Sequence, residues 1–377
     1  MGAWRRPSGT CYAVSMKRIA VIGGGIAGLT VAARRARAGD RVSVFEANSR
    51  VGGQLCSETH DGFVVEHGAE GFVARSEVVP PLASEAGIAG HVVEQLEQRS
   101  FRFDGHSLVE LAPGEAGRLL GFQVPADDLG RGIRSFWQGM AELPEQLALT
   151  LGAQIDLHLR RAITSVAPRS GSVMLLDAHG QSLDFDAVVV ATTARSAASL
   201  LGDAIGPSAL ALRESPLLSS LTVSLAYRRD AIAHPLDGTG FIVQSPEESS
   251  GVRAVTFSSS KLPNRAPANY ALLRLFFRPS EQELLTLSDA AWTERAERGL
   301  ASALPVRGPA ERAFVSRWPN ALPVFDPAHR ARVDALEATL RQGVQQIWLA
   351  GAAFHGSGID AAIRSAEATA LALSSRD

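Results

Sequence analysis

A short apolar strand that runs into three consecutive glycines and then directly into an alanine-rich helix leaves a chain few ways to fold. Residues 19–22 are uniformly apolar, Gly23, Gly24 and Gly25 follow, and residues 26–38 carry a helical pattern broken only by Gly28. Gly39 and Asp40 end the helix, and residues 41–46, with apolar Val42, Val44 and Phe45, read as a second strand. Two parallel strands joined through a helix in so short a stretch form a βαβ unit with a right-handed crossover.

The glycines fit Gly-x-Gly-x-x-Gly at the junction where that pattern has a mechanism. Gly23 permits a tight turn, Gly25 lets backbone approach a pyrophosphate, and Gly28 allows close packing of helix on strand. Ile26 and Ala27 open the helix, whose free N–H groups and partial positive charge suit phosphate. Glu46, at the end of the second strand, stands where a carboxylate accepts from a ribose 2′-hydroxyl and repels a 2′-phosphate, which argues against NADP. The competing reading is a plain glycine turn with a surface glutamate. At this point NAD and FAD both remain open, and the residues that separate them are Arg50, Gly52 and Gly53, just beyond Glu46 and Ala47.

The bulk composition narrows the rest. With 377 residues, 46% hydrophobic and 20% charged, the chain is long enough for about two domains with substantial cores. A net charge of −2 gives no global attraction to nucleic acid. Two cysteines, Cys11 and Cys56, make neither a disulfide framework nor a metal site, so a reducing cytoplasm is expected and no metal is. No apolar run reaches the ~18 residues of a membrane span. Residues 1–15 lack a signal-peptide core and read as a disordered extension, with Met16 as an alternative start.

Further along, residues 80–90 and 136–151 read as helical, residues 101–111 as strands, and the stretch from Pro113 to Gly132 as a connector. Residues 155–159, 163–166, 173–176, 187–191, 221–227, 240–243 and 270–277 read as strands, 281–304 as helical, 347–350 as a last buried strand and 360–373 as a final helix. The two ends therefore carry the α/β signal, with more antiparallel-looking material between them. The fold class expected is α/β: a parallel-sheet nucleotide domain assembled from distant segments (16–90, 150–205 and 335–377) and a mixed or antiparallel-sheet substrate domain (91–149 and 206–334).

The run from Glu46 through Arg50, Gly52 and Gly53 resembles that of the FAD-dependent amine oxidase and protoporphyrinogen oxidase superfamily, in which a second glycine turn abuts the flavin. Residues 62–68 with Phe72 resemble its Phe-x-x-Glu-x-Gly segment, residues 257–267 its Ser-Ser-x-x-Pro-x-Arg-Ala-Pro segment, and residues 317–323 its Arg-Trp-x-x-Ala-x-Pro segment. Near the end, Ala350, Gly351, Gly356 and Gly358 resemble the family's second FAD segment. The resemblance covers both domains and implies a Rossmann-like FAD domain. It implies FAD contacts from Gly23, Gly25, Ile26, Ala27, Gly28, Glu46, Ala47, Arg50, Gly52, Gly53, Gln54, Gly68, Ala69, Ala191, Gly351, Gly356, Gly358 and Ile359, with Ile163 near the adenine. Three features depart from it. Gln54 stands where Arg is common, Asp360 where Pro is usual, and only the connector remains where relatives carry a helical, membrane-associating domain.

The resemblance also implies that Arg99 pairs with a substrate carboxylate, with Lys261 and Leu262 at pocket positions. The competing readings are a solvated arginine and a surface lysine. His67 and His355 lie inside the flavin-proximal motifs, but the family needs no protein base, since the flavin carries the chemistry. The implied reaction is hydride transfer from a carbon next to nitrogen to flavin N5, with reoxidation by O₂ and release of H₂O₂. The implied substrate is a porphyrinogen, protoporphyrinogen IX or coproporphyrinogen III. Two alternatives stay open: an oxidase of a smaller amine or secondary metabolite, and a catalytically idle flavin-binding paralogue. A homodimer is a further expectation; peripheral membrane contact is not expected.

Overall fold

The computed structural model describes residues 16–120 and 131–374. Residues 1–15, and the part of the expected connector at 121–130, lie outside the described residues. The first strand, β1 (Arg18–Ile22), is buried along all but its first residue, and it passes through the glycines into helix α1 (Ile26–Arg37) and strand β2 (Arg41–Phe45). All five strands of this sheet are parallel, in the order Ile155–His158, β2, β1, Ala187–Val190, Ile347–Leu349. Val21 lies in register between Val44 and Val189, so the three central strands end level with one another.

A parallel sheet needs cover on both faces, and the near-continuous apolar strands supply two of them. Ile19, Val21, Val42, Val44 and Val189 pack with α1, the helix Glu142–Leu151 and the final helix Ile359–Ser374. Ala20, Ile22, Phe45, Val188, Val190 and Leu349 pack with the helices Ala194–Ile205 and Pro327–Gly343 and with an antiparallel three-stranded sheet at residues 163–185. Each fully buried Val, Leu or Ile is worth ~1.5–3 kcal/mol over exposure.

The middle of the chain forms a seven-stranded sheet, ordered Arg312–Pro323, Leu217–Arg228, Tyr270–Phe277, Ala254–Thr256, Gly240–Val243, Phe101–Phe103, Leu108–Glu110. Its pairs are antiparallel except that Gly240–Val243 runs parallel to Phe101–Phe103. One face carries Phe101, Phe103, Leu221, Val223, Val255, Leu273 and Leu275, closed by helices Glu281–Thr286 and Asp289–Ala301. The other face is more polar.

Several expected elements differ. The stretch expected as one helix at 136–151 is the end of a strand, Ile133–Phe136, then a turn at Gly139 (φ +95°), then Glu142–Leu151. That helix buries Leu143, Leu147 and Leu151 against the parallel sheet's core, so it sits with the nucleotide-domain segments rather than with residues 91–135. Residues 281–304 are two helices, because Ser280 and Ser288 each cap a new start, Ser280 in a reciprocal capping box with Glu283. Residues 80–90 contain a shorter helix, Val79–Glu85, ended by Gly87 in the left-handed region. The strand Arg312–Pro323 and the helix Pro327–Gly343 had no counterpart in the sequence reading.

Candidate active site

At the end of β1 the Gly23 N–H donates to the Phe45 carbonyl at 2.8 Å, with φ +109°. A Cβ on Gly23 would lie 2.5 Å from the Ala191 oxygen, and one on Gly28 only 2.0 Å from the Gly23 oxygen. Both positions demand glycine. Gly25 is different: it has ordinary backbone angles, and a Cβ there would meet nothing within 4 Å. It is the N-cap of α1, and no side chain caps that end. No side chain competes for the N–H groups of the helix's first turn. Glu46 is buried at the rim: Oε2 accepts from the Gly24 N–H at 2.8 Å, and Oε1 from the Asn48 N–H and Nδ2. Its neighbour Ala47 begins the exposed loop.

Two further turns meet the first. Gly52 bridges to Gly25 and donates its N–H to the Gly24 carbonyl at 2.8 Å, and a Cβ on Gly53 would come within 3.5 Å of the Gly25 Cα. Arg50 folds back on this turn, donating to the carbonyls of Val51, Gly53 and Leu55. Gln54 reaches across to the seven-stranded sheet, its Nε2 donating to the Ala321 carbonyl at 2.7 Å. The Gln54 carbonyl accepts from the Ala69 N–H and lies where a Cβ on Gly68 would be, 1.7 Å away. From the far end of the chain, Gly351 (φ +111°) abuts α1, since its Cβ would meet that of Ala27 at 3.2 Å. Gly356 and Gly358 also have positive φ, and Ile359 starts the final helix directly after them. Ala191 donates to the Ile22 carbonyl beside the first turn. Ile163 opens a strand of the three-stranded sheet and packs at the edge of the Phe45 core layer.

The two histidines are held as structural hydrogen-bonding groups. His67 contacts Ser316 through Nδ1 and Glu58 through Nε2. His355 contacts Ser365 through Nδ1 at 2.7 Å and Glu337 through Nε2 at 2.8 Å, and the Ser365 oxygen accepts from the Gly351 N–H at 2.9 Å. The chain Glu337, His355, Ser365 therefore braces the third glycine turn.

Behind the second turn lies a buried charge cluster that the sequence did not reveal. Arg274 donates to the carbonyls of His67 and Gly68, and Trp318 donates its indole N–H to the His67 carbonyl at 2.7 Å. Arg265, 1% exposed, donates to Ser135, Phe136, Trp137 and Pro263. Glu66 accepts from Ser57 and from the Met140 N–H, with Arg265 at 3.8 Å. Burial pushes the Glu66 carboxyl up to about 7 despite these partners. Burial also acts on Glu70, but Lys261 and Arg274 outweigh it and hold that carboxyl below the usual range. Arg265 and Arg274 are themselves lowered by burial.

The three residues expected at substrate contacts already have partners or burial within the protein. Arg99 is tied to Glu110 and Asp237, at 2.9 and 2.6 Å, on the exposed sheet edge, because both acids are brought to it by strand pairing and the loop before Gly240. Lys261 is paired with Glu70 at 2.8 Å rather than standing free. Leu262 is fully buried and lines no open surface.

A different arginine is left over. On Phe101–Phe103 the two phenylalanines face the helix-covered core, so Arg102 faces the other way. That is the side of Thr222, Ser224 and Arg274. Register runs Arg102, Ile242, Ala254, Phe276, Thr222, Ser316 across six strands, ending at the His67 partner. Among the described residues the buried Nε of Arg102 and Oγ1 of Thr222 have no partner, nor has the Nε of Arg274. The Phe-Arg-Phe alternation was the sequence signal for this position.

Three glycine turns at one helix N-terminus, with a carboxylate at the second strand's end, define a dinucleotide-binding flavoprotein architecture. Residues 126–373 match the flavin containing amine oxidoreductase family, and residues 21–85 match the NAD(P)-binding Rossmann-like domain. The chain belongs to the flavin containing amine oxidoreductase family and is an FAD-dependent oxidoreductase. It is 22% identical to the coproporphyrinogen III oxidase of Bacillus subtilis (strain 168), over 91% of this chain and 95% of that one. It is 27% identical to the coproporphyrinogen III oxidase of Mycobacterium tuberculosis (strain ATCC 25618 / H37Rv), over 92% and 95%. Its fold is that of a protein from Exiguobacterium sp. 255-15 provisionally named a protoporphyrinogen oxidase, with a TM-score of 0.80 at 21% identity, covering 96% of this chain and 100% of that one. The residues present fit the cofactor. The space above Gly25 is one that a side chain would fill, the helix end beside it has no side-chain cap, and the Glu46 Oε2 keeps a free lone pair. Among the described residues no helix is long and apolar enough to cross a membrane.

Proposed function

We propose that the chain oxidises a porphyrinogen, protoporphyrinogen IX or coproporphyrinogen III, and delivers the electrons to O₂ with release of H₂O₂. FAD, when bound, supplies the hydride acceptor and the route to the oxidant. In this reading Gly25, Ile26, Ala27 and Gly28 donate backbone N–H groups to the pyrophosphate, and Glu46 accepts from the ribose. Gly358 leaves room for the flavin, while Gly52, Gly53 and Gly351 let their turns close against the protein around it, with Arg50, Gln54 and Ser365 holding those turns in place. Substrate lies between the second turn and the polar face of the seven-stranded sheet, where Arg102 replaces Arg99 as the carboxylate-binding arginine.

The observation that carries this reading is the meeting of the three glycine turns beside a sheet face with unsatisfied buried donors. The two relatives named coproporphyrinogen III oxidase, aligned over nine-tenths of both chains, support the substrate class. Anaerobic mixing of the flavin-loaded protein with each porphyrinogen tests it, with bleaching of the flavin absorbance expected for at least one. The pairing of Arg99 and Lys261 with internal carboxylates favours a second reading, a smaller amine without carboxylates. Bleaching by an amine and by neither porphyrinogen would assign that reaction instead.

A further inference from the structure

On the helix-covered side of the seven-stranded sheet, opposite the polar face, a hollow of about 370 Å³ opens between strand ends and the helix Asp289–Ala301. Its apolar wall includes Phe277 and Trp292, stacked edge to face with ring centroids 5.3 Å apart. Three arginines border it. Arg295 is already neutralised: it donates to Glu283 and to the Ser250 carbonyl, each at 2.6 Å. Glu283 is held down to about 2 by that bond and by Ser280.

Arg253 and Arg278 are in another condition. Among the described residues neither guanidinium has an ion pair or a hydrogen bond, and Glu247 on the rim pairs with neither. The two cations line the same hollow, the Arg253 N–H bonding to the Phe276 carbonyl two residues before Arg278, and partial burial, then the charge of Arg253, lowers the Arg278 pKa. A bound oxyanion would supply both guanidinium groups with the partner they lack.

We propose that this hollow is a second ligand site, separate from the flavin cleft, for a small molecule bearing phosphate or carboxylate oxygens, clamped between Arg253 and Arg278. Planar guanidinium groups bind both kinds of oxyanion in bidentate fashion, and the volume admits a phosphate ester or a small polycarboxylate but no macromolecule. The site is independent of what the flavin oxidises.

Calorimetric titration of the FAD-loaded protein with inorganic phosphate and, separately, with citrate tests it, at ionic strength matched with chloride. Saturable binding of one of them is expected, with affinity at least about tenfold weaker in Arg253→Ala and in Arg278→Ala, the loss of a charge-assisted bond. Both side chains are exposed, so both variants are expected to retain their flavin. Phosphate binding without citrate assigns phosphate esters, and the converse assigns polycarboxylates. Absence of saturable binding by either, or affinity unchanged in the flavin-loaded variants, would overturn the proposal. If Arg278→Ala loses flavin, Arg278→Gln and the Trp292 fluorescence response of the parent protein decide between the same outcomes.

Discussion

Gly25 and Gly68 both belong to the cofactor turns, yet they are glycines for opposite reasons. A methyl group on Gly68 would overlap the Gln54 carbonyl, whereas one on Gly25 would stand in open space at an ordinary backbone conformation. Gly68→Ala is therefore expected to destabilise the apoprotein by ~2 kcal/mol or more through forced backbone displacement. Gly25→Ala should change apoprotein stability by less than about 1 kcal/mol while abolishing flavin retention. Denaturant melts of apoprotein alongside flavin content separate the two. Glu66 gives a pH signature. Its carboxyl, raised from 4.5 to about 7 in the fold, binds its proton more tightly folded than unfolded. Its contribution is thus fully present below pH 4.5 and lost as pH rises through 7, on the order of 3 kcal/mol. Glu66→Gln should flatten that part of the stability profile.

Among the elements, β1, α1 and β2 were legible because local pattern and tertiary role coincide: a buried strand, obligatory glycines, an apolar helix face. The final strand and helix were legible for the same reason. The strand Arg312–Pro323 was not, because it carries Pro319 and Asn320, residues that ordinarily mark turns; the latter has φ +49° beside a register shift opposite residues 218–220. Nor could pattern alone show that Arg265 and Arg274 are buried, since their partners come mainly from residues 66–70 and 135–137, more than 120 residues away. Arg99 was chosen by motif, and only strand pairing shows its guanidinium occupied while Arg102 is left unpaired. At this scale the brace on the third turn makes a prediction. Ser365→Ala leaves the Gly351 N–H without its acceptor, which should cost ~1–3 kcal/mol and weaken FAD binding, measured by flavin fluorescence on titration of apoprotein.

For the whole molecule, the two sheet systems meet through polar ties more than through one shared apolar core. Arg274 reaches from the seven-stranded sheet to the carbonyls of His67 and Gly68, and Gln54 reaches back to Ala321. Arg274→Ala removes both bonds to the turn and a cation facing Glu70. A loss of 3–5 kcal/mol is expected in urea unfolding, as for other broken buried pairs.

The cleft is also assembled from opposite ends of the chain: Arg34 on α1 meets Glu367 on the final helix, 333 residues away. Until the segment carrying Gly351 has left the ribosome, the nascent chain has an open edge at residues 187–190 and an incomplete cradle. Cofactor loading is therefore expected to follow synthesis of that segment, and a chain truncated before Gly351 is expected to purify without flavin absorbance.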